Sequence, residues 1–307
     1  HPIEGSGGIS HIFYGLGKLG DERIMDLGEL FPQLYLPTRV TWDGEAFQVH
    51  GENGATVAVA RVSTSGEVLL PKTDFGVSWN PGYGPLGYRL EYEPVTELTW
   101  IWDGDGAGSG LVQAHDKLGA PLFPYPGVVV EPVHTVAQTG RNGMAAHPGG
   151  LDLFWTELLM PKPSAQVGAR LGLDGSVTDV FTFEHTFEHQ NGEQSNNGFH
   201  ASAVYRRADG STWAVGVDQY GARLFTLDYE AGAAALSPRF YDHTISKKEG
   251  ADLREMRLFE VDGTLWFVFN ETGQGLDAPV WRVLELNPGC VYKSWLRLVE
   301  DGETGVE

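Results

Sequence analysis

Ten histidines and 41 Asp and Glu residues are the groups of this 307-residue chain that can move protons, ligate metals or grip hydroxyls. Five of the histidines, His134, His185, His189, His200 and His243, fall in segments rich in Gly, Asn, acids and aromatic residues. His185 and His189 have the His-x-x-x-His spacing that binds zinc when both side chains share a helical face. Phe181-Thr-Phe-Glu-His-Thr-Phe-Glu-His189 alternates, however, and reads as a strand running out into a loop. On a strand, positions i and i+4 are ~13 Å apart, too far to chelate one ion. The expectation is therefore no metal and no other cofactor, with His185, His189 and His200 as the set that would hold an ion if one bound. Asp103-Gly-Asp105 starts a calcium-loop spacing, but Ala107 and Ala114 stand where the next ligands should be.

Three carboxylates, Glu157, Asp218 and Glu271, occur at matching places along the chain. They are the candidates for glycosidase chemistry, which needs two carboxyl groups flanking one bond. A lyase would instead use His and Tyr. Trp79, Tyr83, Tyr125 and Tyr220 stand among amides, acids and histidines. Aromatic faces pack on the apolar side of a pyranose, while carboxylates and amides bind its hydroxyls. Arg141, Lys247 and Lys248 are the cations of the same segments. With the five histidines, Arg141 completes the candidate ligand-binding set, and His134, His185, His189, His200 and His243 are expected to share one pocket with Arg141 and Glu157. No Gly-x-Ser-x-Gly elbow, phosphate-binding Gly loop or dinucleotide fingerprint is present.

The elements that must position these groups repeat. Met256 to Asp262-Gly263, then Thr264 to Phe269, alternates apolar and polar residues on both sides of an Asp-Gly turn, which is a hairpin by its chemistry. The same form recurs around Asp209-Gly210, Gly149-Gly150 and Asp43-Gly44, and in degenerate form around Glu97. The turns at 44, 97, 150, 210 and 263 are 53, 53, 60 and 53 residues apart. A second hairpin turns at Gly66, Gly119, Gly175, Gly232 and Gly289, with gaps of 53, 56, 57 and 57. Two markers of one period define a unit of four strands in about 55 residues, the size of a β-propeller blade. Ile12 to Leu27 reads as one more second hairpin with no first hairpin before it. The expected fold is all-β: a single propeller domain over 1–307, with an extra N-terminal hairpin in 1–35 and repeats from 36 onward. That makes five blades plus a hairpin, or six with one incomplete. A two-sheet sandwich is the alternative. Trp100, Trp155, Trp213 and Trp266 are expected at equivalent second-strand positions between blades.

The strand rhythm around Asp-Gly-x-Leu-Trp-x-Val-Phe resembles the blades of sialidase-like propellers. The resemblance implies a fold and no chemistry, because the Asp-box is not met: in Asp209-Gly210-Ser-Thr-Trp213 the Asp and Gly are adjacent.

In such blades the short Gly turns point to one face, and the blade-to-blade and strand-2-to-3 loops point to the other. The segments Lys72 to Gly87, Phe123 to Gly143, Glu184 to His200 and Tyr241 to Arg254 are expected as long blade-to-blade loops, and long loops on a rigid scaffold carry function. The net charge of −20 argues against nucleic acid and anionic membrane as partners. No apolar run reaches the ~18 residues of a membrane helix. Gly and Pro, 41 and 17 residues, exceed the usual ~12% and suit many tight turns. Cys290 is the only cysteine, so no intrachain disulfide forms, and its neighbours suggest a structural thiol. Residues 1–8 show no basic segment or apolar leader core. Three functions stay open: a module binding a glycan or a protein surface through the long-loop face, a structural subunit of a larger assembly such as a virion or surface layer, and a polysaccharide-cleaving enzyme. A homo-oligomer and an extracellular or surface location are expected.

Overall fold

The computed structural model describes residues 11–15, 22–31, 35–53, 56–78, 88–103, 110–134, 136–159, 165–184, 187–188, 194–195, 201–218, 221–242, 252–272, 280–287, 290–298 and 304–306. Nearly all of them are in strands, in the order that the repeats predict. An N-terminal hairpin, β1 (His11–Gly15) and β2 (Glu22–Asp26), runs into a single helical turn, α1 (Leu27–Leu30). Blade 1 is β3 (Tyr35–Trp42), β4 (Phe47–Asn53), β5 (Thr56–Val62) and β6 (Val68–Ser78). Blade 2 is β7 (Tyr88–Glu93), β8 (Leu98–Asp103), β9 (Gly110–His115) and β10 (Val128–Val130). Blade 3 is β11 (Val136–His147), β12 (Gly150–Leu159), β13 (Ala165–Gly172) and β14 (Val177–Glu184). A two-residue ribbon follows, β15 (Phe187–Glu188) with β16 (Gln194–Ser195). Blade 4 is β17 (Ala201–Arg206), β18 (Thr212–Asp218), β19 (Gly221–Asp228) and β20 (Ala233–Asp242). Blade 5 is β21 (Asp252–Val261), β22 (Thr264–Thr272), β23 (Val280–Asn287), β24 (Cys290–Leu298) and a fifth strand, β25 (Thr304–Val306). Each blade is an antiparallel meander, so the class is the expected one: all-β, with blades of propeller type, and the described residues form four four-stranded blades, a fifth with one added strand, and the N-terminal hairpin. No helix among the described residues is long and apolar enough to cross a membrane.

The turns within the described residues stand where the sequence puts them; the one expected at Gly289 lies outside those residues. Gly44, Glu97, Gly150, Gly210 and Gly263 all have positive φ, as do Gly66, Gly119, Gly175 and Gly232. At Gly150 the requirement is doubled. Its φ is +141°, and a Cβ there would lie 2.0 Å from the Leu171 carbonyl oxygen, so the hairpin closes only without a side chain. Asp174 and Asp209 stiffen their turns identically: each Oδ1 accepts from the backbone N–H and the hydroxyl of the serine two residues on.

The chain divides into two compact units, 1–131 with 146–149, and 132–145 with 150–307. In the first, Met25, Leu27 and Phe31 of the N-terminal segment bury against Val49, Ala58, Ala60 and Val62 of blade 1. The other face of blade 1 meets blade 2 through a polar seam. Buried Asp43 accepts from Arg61 Nε at 2.6 Å and from Gln48 Nε2 at 3.0 Å, and Gln48 Oε1 accepts from the Thr99 hydroxyl at 2.6 Å. Burial, the largest single influence, pushes the Asp43 carboxyl up, but hydrogen bonds from Arg61, Ala46, Gln48 and Glu45 outweigh it and leave the group below its usual range.

In the second unit the blade 3–4 joint has its own seam. Asp152, fully buried, accepts from Arg170 Nε at 3.1 Å, Arg206 Nη1 at 2.8 Å and the Thr212 hydroxyl at 2.8 Å. Around it pack Phe154, Phe181, Phe225 and Tyr229. The blade 4–5 core gathers Val215, Leu224, Leu258, Leu265, Phe267 and Phe269, with Arg207 reaching Glu260 at 2.6 Å.

Two expectations need correction. Trp100 and Trp155 are buried and Trp213, partly buried, packs against the blade 4–5 core as expected, but Trp266 is only half-buried. Residues 265, 267 and 269 supply the core face of β22, so the two-residue period turns Trp266 to the opposite face. The loops are also shorter than expected. β6 continues through Ser78, and the segment Phe123 to Gly143 contains β10 and most of β11. Register shifts along these ladders, as between Val59 and Arg61, let long strands continue through polar stretches.

Candidate functional site

In a four-stranded meander the strand-2-to-3 end is opposite the first Gly turn. In the second unit this end carries Glu157 near the close of β12, Asp218 closing β18 and Glu271 near the close of β22. Their ladder partners are Ala165, Gly221 and Val280. The three carboxylate positions therefore match from blade to blade, and they lie within the second strands rather than in the expected strand-2-to-3 loops. The side chains of Asp218 and Glu271 lie outside the described residues.

Glu157 is fully buried and all its acceptor capacity is used. Oε1 accepts from the Val133 backbone N–H at 2.7 Å and from Trp155 Nε1 at 3.0 Å. Oε2 accepts from the His134 backbone N–H at 3.0 Å and makes a 2.6 Å bond to His134 Nδ1. Trp155 and Glu157 are two apart on one strand and so share a face, which brings the indole N–H beside the carboxylate. A carboxylate with four donors has no lone pair left to attack or protonate a substrate. Its geometry makes Glu157 a positioning residue, and the catalytic role considered for it does not suit this environment.

What it positions is His134. The imidazole is one-third exposed, with a side-chain accessibility of 34%. An ionised carboxylate only accepts, so Nδ1 carries the proton, and Nε2 is the remaining polar atom of the ring. The two backbone N–H bonds fix residues 133–134 ahead of β11, and the Nδ1 bond fixes the ring on the same carboxylate. A ring fixed in this way can accept a hydroxyl hydrogen bond, take up a proton or serve as a single ligand to a metal. Among the described residues no three His, Cys, Asp or Glu are grouped to hold a metal ion.

The remaining candidates separate. The expected meeting of His134 with Glu157 occurs. Tyr125 is exposed, but it does not sit in a blade-to-blade loop. It belongs to the segment leading into β10 along the outer edge of blade 2, where Phe123 N–H donates to Gln113 and Gly127 approaches Val112. Arg141 lies inside β11 rather than in a loop, and its side chain is outside the described residues. Trp79, Tyr83, His185, His189, His200, Tyr220 and His243 also lie outside the described residues, and with them the cluster His185, His189 and His200. Sequence reasoning missed Trp155 as a member of the site. The Trp-x-Glu spacing on a strand was its signal.

No protein-family model matches the chain, and no curated protein matches it. Solved structures resemble it in outline. An endo-1,4-β-xylanase from Bacteroides thetaiotaomicron is 11% identical over 90% of this chain and 94% of its own, with a TM-score of 0.47. An α-L-arabinanase from Cellvibrio cellulosa is 12% identical over 90% and 95%, with a TM-score of 0.41. An apocarotenoid oxygenase from Synechocystis is 10% identical over 93% and 66%, with a TM-score of 0.42. The three differ in chemistry, and none carries an activity or a residue role to this chain.

Proposed function

We propose that this protein binds a neutral glycan at the strand-2-to-3 end of its second unit, with His134 as the side chain that meets the sugar. The single observation behind this is the Glu157 clamp, which fixes a one-third-exposed imidazole through its Nδ1. An ordered imidazole binds a hydroxyl without first losing rotamer freedom. The chain's −20 charge favours an uncharged ligand over an anionic one.

Cleavage of the bound glycan is the second reading. It is favoured by the same ring, because a neutral imidazole with Nδ1–H directed to a carboxylate offers Nε2 as a base. Asp218 and Glu271, at equivalent ends of neighbouring blades, are its carboxylate candidates. A glycan array, with turnover assayed on the best binder, tests both. Wild type is expected to bind and His134→Ala to lose at least tenfold in affinity. If wild type binds no glycan, the proposal fails and a role as a structural subunit of an assembly takes its place.

A further inference from the structure

A second histidine pair lies in the first unit, within the joint between blades 1 and 2. His50 is central in β4 and His115 closes β9; they are 0% and 1% exposed. Their Nε2 atoms are 2.9 Å apart, and the rings are tilted at 44° with centroids 5.2 Å apart. His115 Nδ1 lies 2.7 Å from the Asp116 carbonyl oxygen.

These distances fix the protons. A carbonyl oxygen only accepts, so His115 Nδ1 carries a hydrogen and, in the neutral ring, its Nε2 is the acceptor. His50 Nε2 must therefore be the donor across the joint. A third N–H proton has two places to go. On His115 Nε2 it would point at the His50 N–H and break the bond. On His50 Nδ1 it would put a full charge on a ring that is completely buried. We infer that the His50–His115 pair is an acid-sensitive latch that holds blades 1 and 2 together while both rings are neutral and releases the joint when either ring takes a further proton.

The charges around the pair do little to ease that step. Arg39 stands opposite His50 in the β3–β4 ladder, and Val59 is its neighbour on β5. Arg61, two residues beyond Val59, is tied to Asp43 and Glu45. Lys72 and Asp74 of β6, 3.7 Å apart, flank Thr73, whose side chain approaches Gly119 of blade 2. Lys117 is bound to Glu97. Thr99, opposite His115 on β8, is uncharged. Asp116 favours a protonated His115, but burial outweighs it, holding that ring down to about 4. Burial first, then His115, holds His50 well below the usual imidazole range. A histidine whose folded pKa is depressed adds stability that is fully present above the unfolded pKa of ~6.5 and is lost as pH falls toward the folded value.

The test compares wild type with His50→Leu/His115→Leu, which removes both rings of the pair together, with the Asp116 carbonyl oxygen losing its imidazole donor in the same step. Between pH 6.5 and 4 the wild-type unfolding constant should rise by up to tenfold per pH unit for each excluded proton. The double variant should lack that component, and wild-type hydrogen exchange at acid pH should quicken first in β4 and β9. Equal pH slopes in the two proteins would overturn the proposal. Should the variant not fold, imidazole nitrogen NMR of wild type decides. The proposal requires His50 as the Nε2–H tautomer and His115 as the Nδ1–H tautomer at pH 7; any other pair of tautomers, or a charged ring at pH 6, refutes it.

Discussion

Replacing Asp152 by Asn keeps its shape and removes one charge from the blade 3–4 joint. Three donors converge on that carboxylate, two of them guanidiniums with side-chain accessibilities of only 21% and 23%. Stripping one partner from a buried ion pair costs about 3–5 kcal/mol, because the remaining charges stay desolvated. Arg170 has fall-back contacts, with Asp179 at 3.5 Å, Glu230 at 3.8 Å and the Tyr229 ring 5.2 Å away. Both guanidiniums also keep some water. The lower end of the range, ~3 kcal/mol, is therefore the expected loss. Thr212→Val deletes only the hydroxyl donor to a charged acceptor and should cost ~1.5–3 kcal/mol. The two share one carboxylate, so the double mutant should fall short of additivity by ~0.5 kcal/mol or more. Urea unfolding with unchanged m-values is the assay. Losses under ~0.5 kcal/mol for Asp152→Asn, the scale of ordinary surface changes, would refute the assignment of this carboxylate as the joint's anchor.

Other consequences are as direct. Gly168→Ala should cost ~1–3 kcal/mol as an overpacked site, since a Cβ there would meet the Phe181 ring at 2.4 Å; thermal melts and the near-ultraviolet signal of the aromatic core would record it. Trp100→Ala should cost ~3–5 kcal/mol, and Trp266→Ala clearly less because its ring is half-buried, which paired denaturation curves will show. Asp43 has a folded pKa below its unfolded one, so its stabilisation is present above pH ~4 and lost as pH falls through the folded value. Asp43→Asn should lose that acid limb, which unfolding midpoints between pH 2 and 5 would reveal.

Much of this architecture is legible in the chain because the repeat is written in backbone chemistry. Asp-Gly and Ser-Gly pairs mark left-handed turns, and even the degenerate copy at Glu97 takes that conformation at φ 56°. Alternation gives the core face of β22, through Leu265, Phe267 and Phe269, and the same alternation, applied strictly, would have turned Trp266 outward. Strand length is less legible. β11 carries Gln138, Thr139, Arg141 and Asn142, composition that reads as loop, yet it pairs along blade 3. The site is legible in its parts and not in its connections. His134 and Glu157 stand out by type, but only the tertiary fold shows that the carboxylate is spent on holding the ring. His50 and His115 are 65 residues apart and sit within ordinary strand patterns, so nothing local announces their pairing.

Selective labelling of the His134 imidazole nitrogens, followed by titration with the tightest glycan from an array, tests the proposed site most directly. The free protein should show the Nδ1–H tautomer, and saturating glycan should move the Nε2 resonance while Nδ1 stays bonded to Glu157. An Nε2–H tautomer in the free protein, or an Nε2 resonance that does not move at saturation, would contradict His134 as the clamped, ligand-facing group.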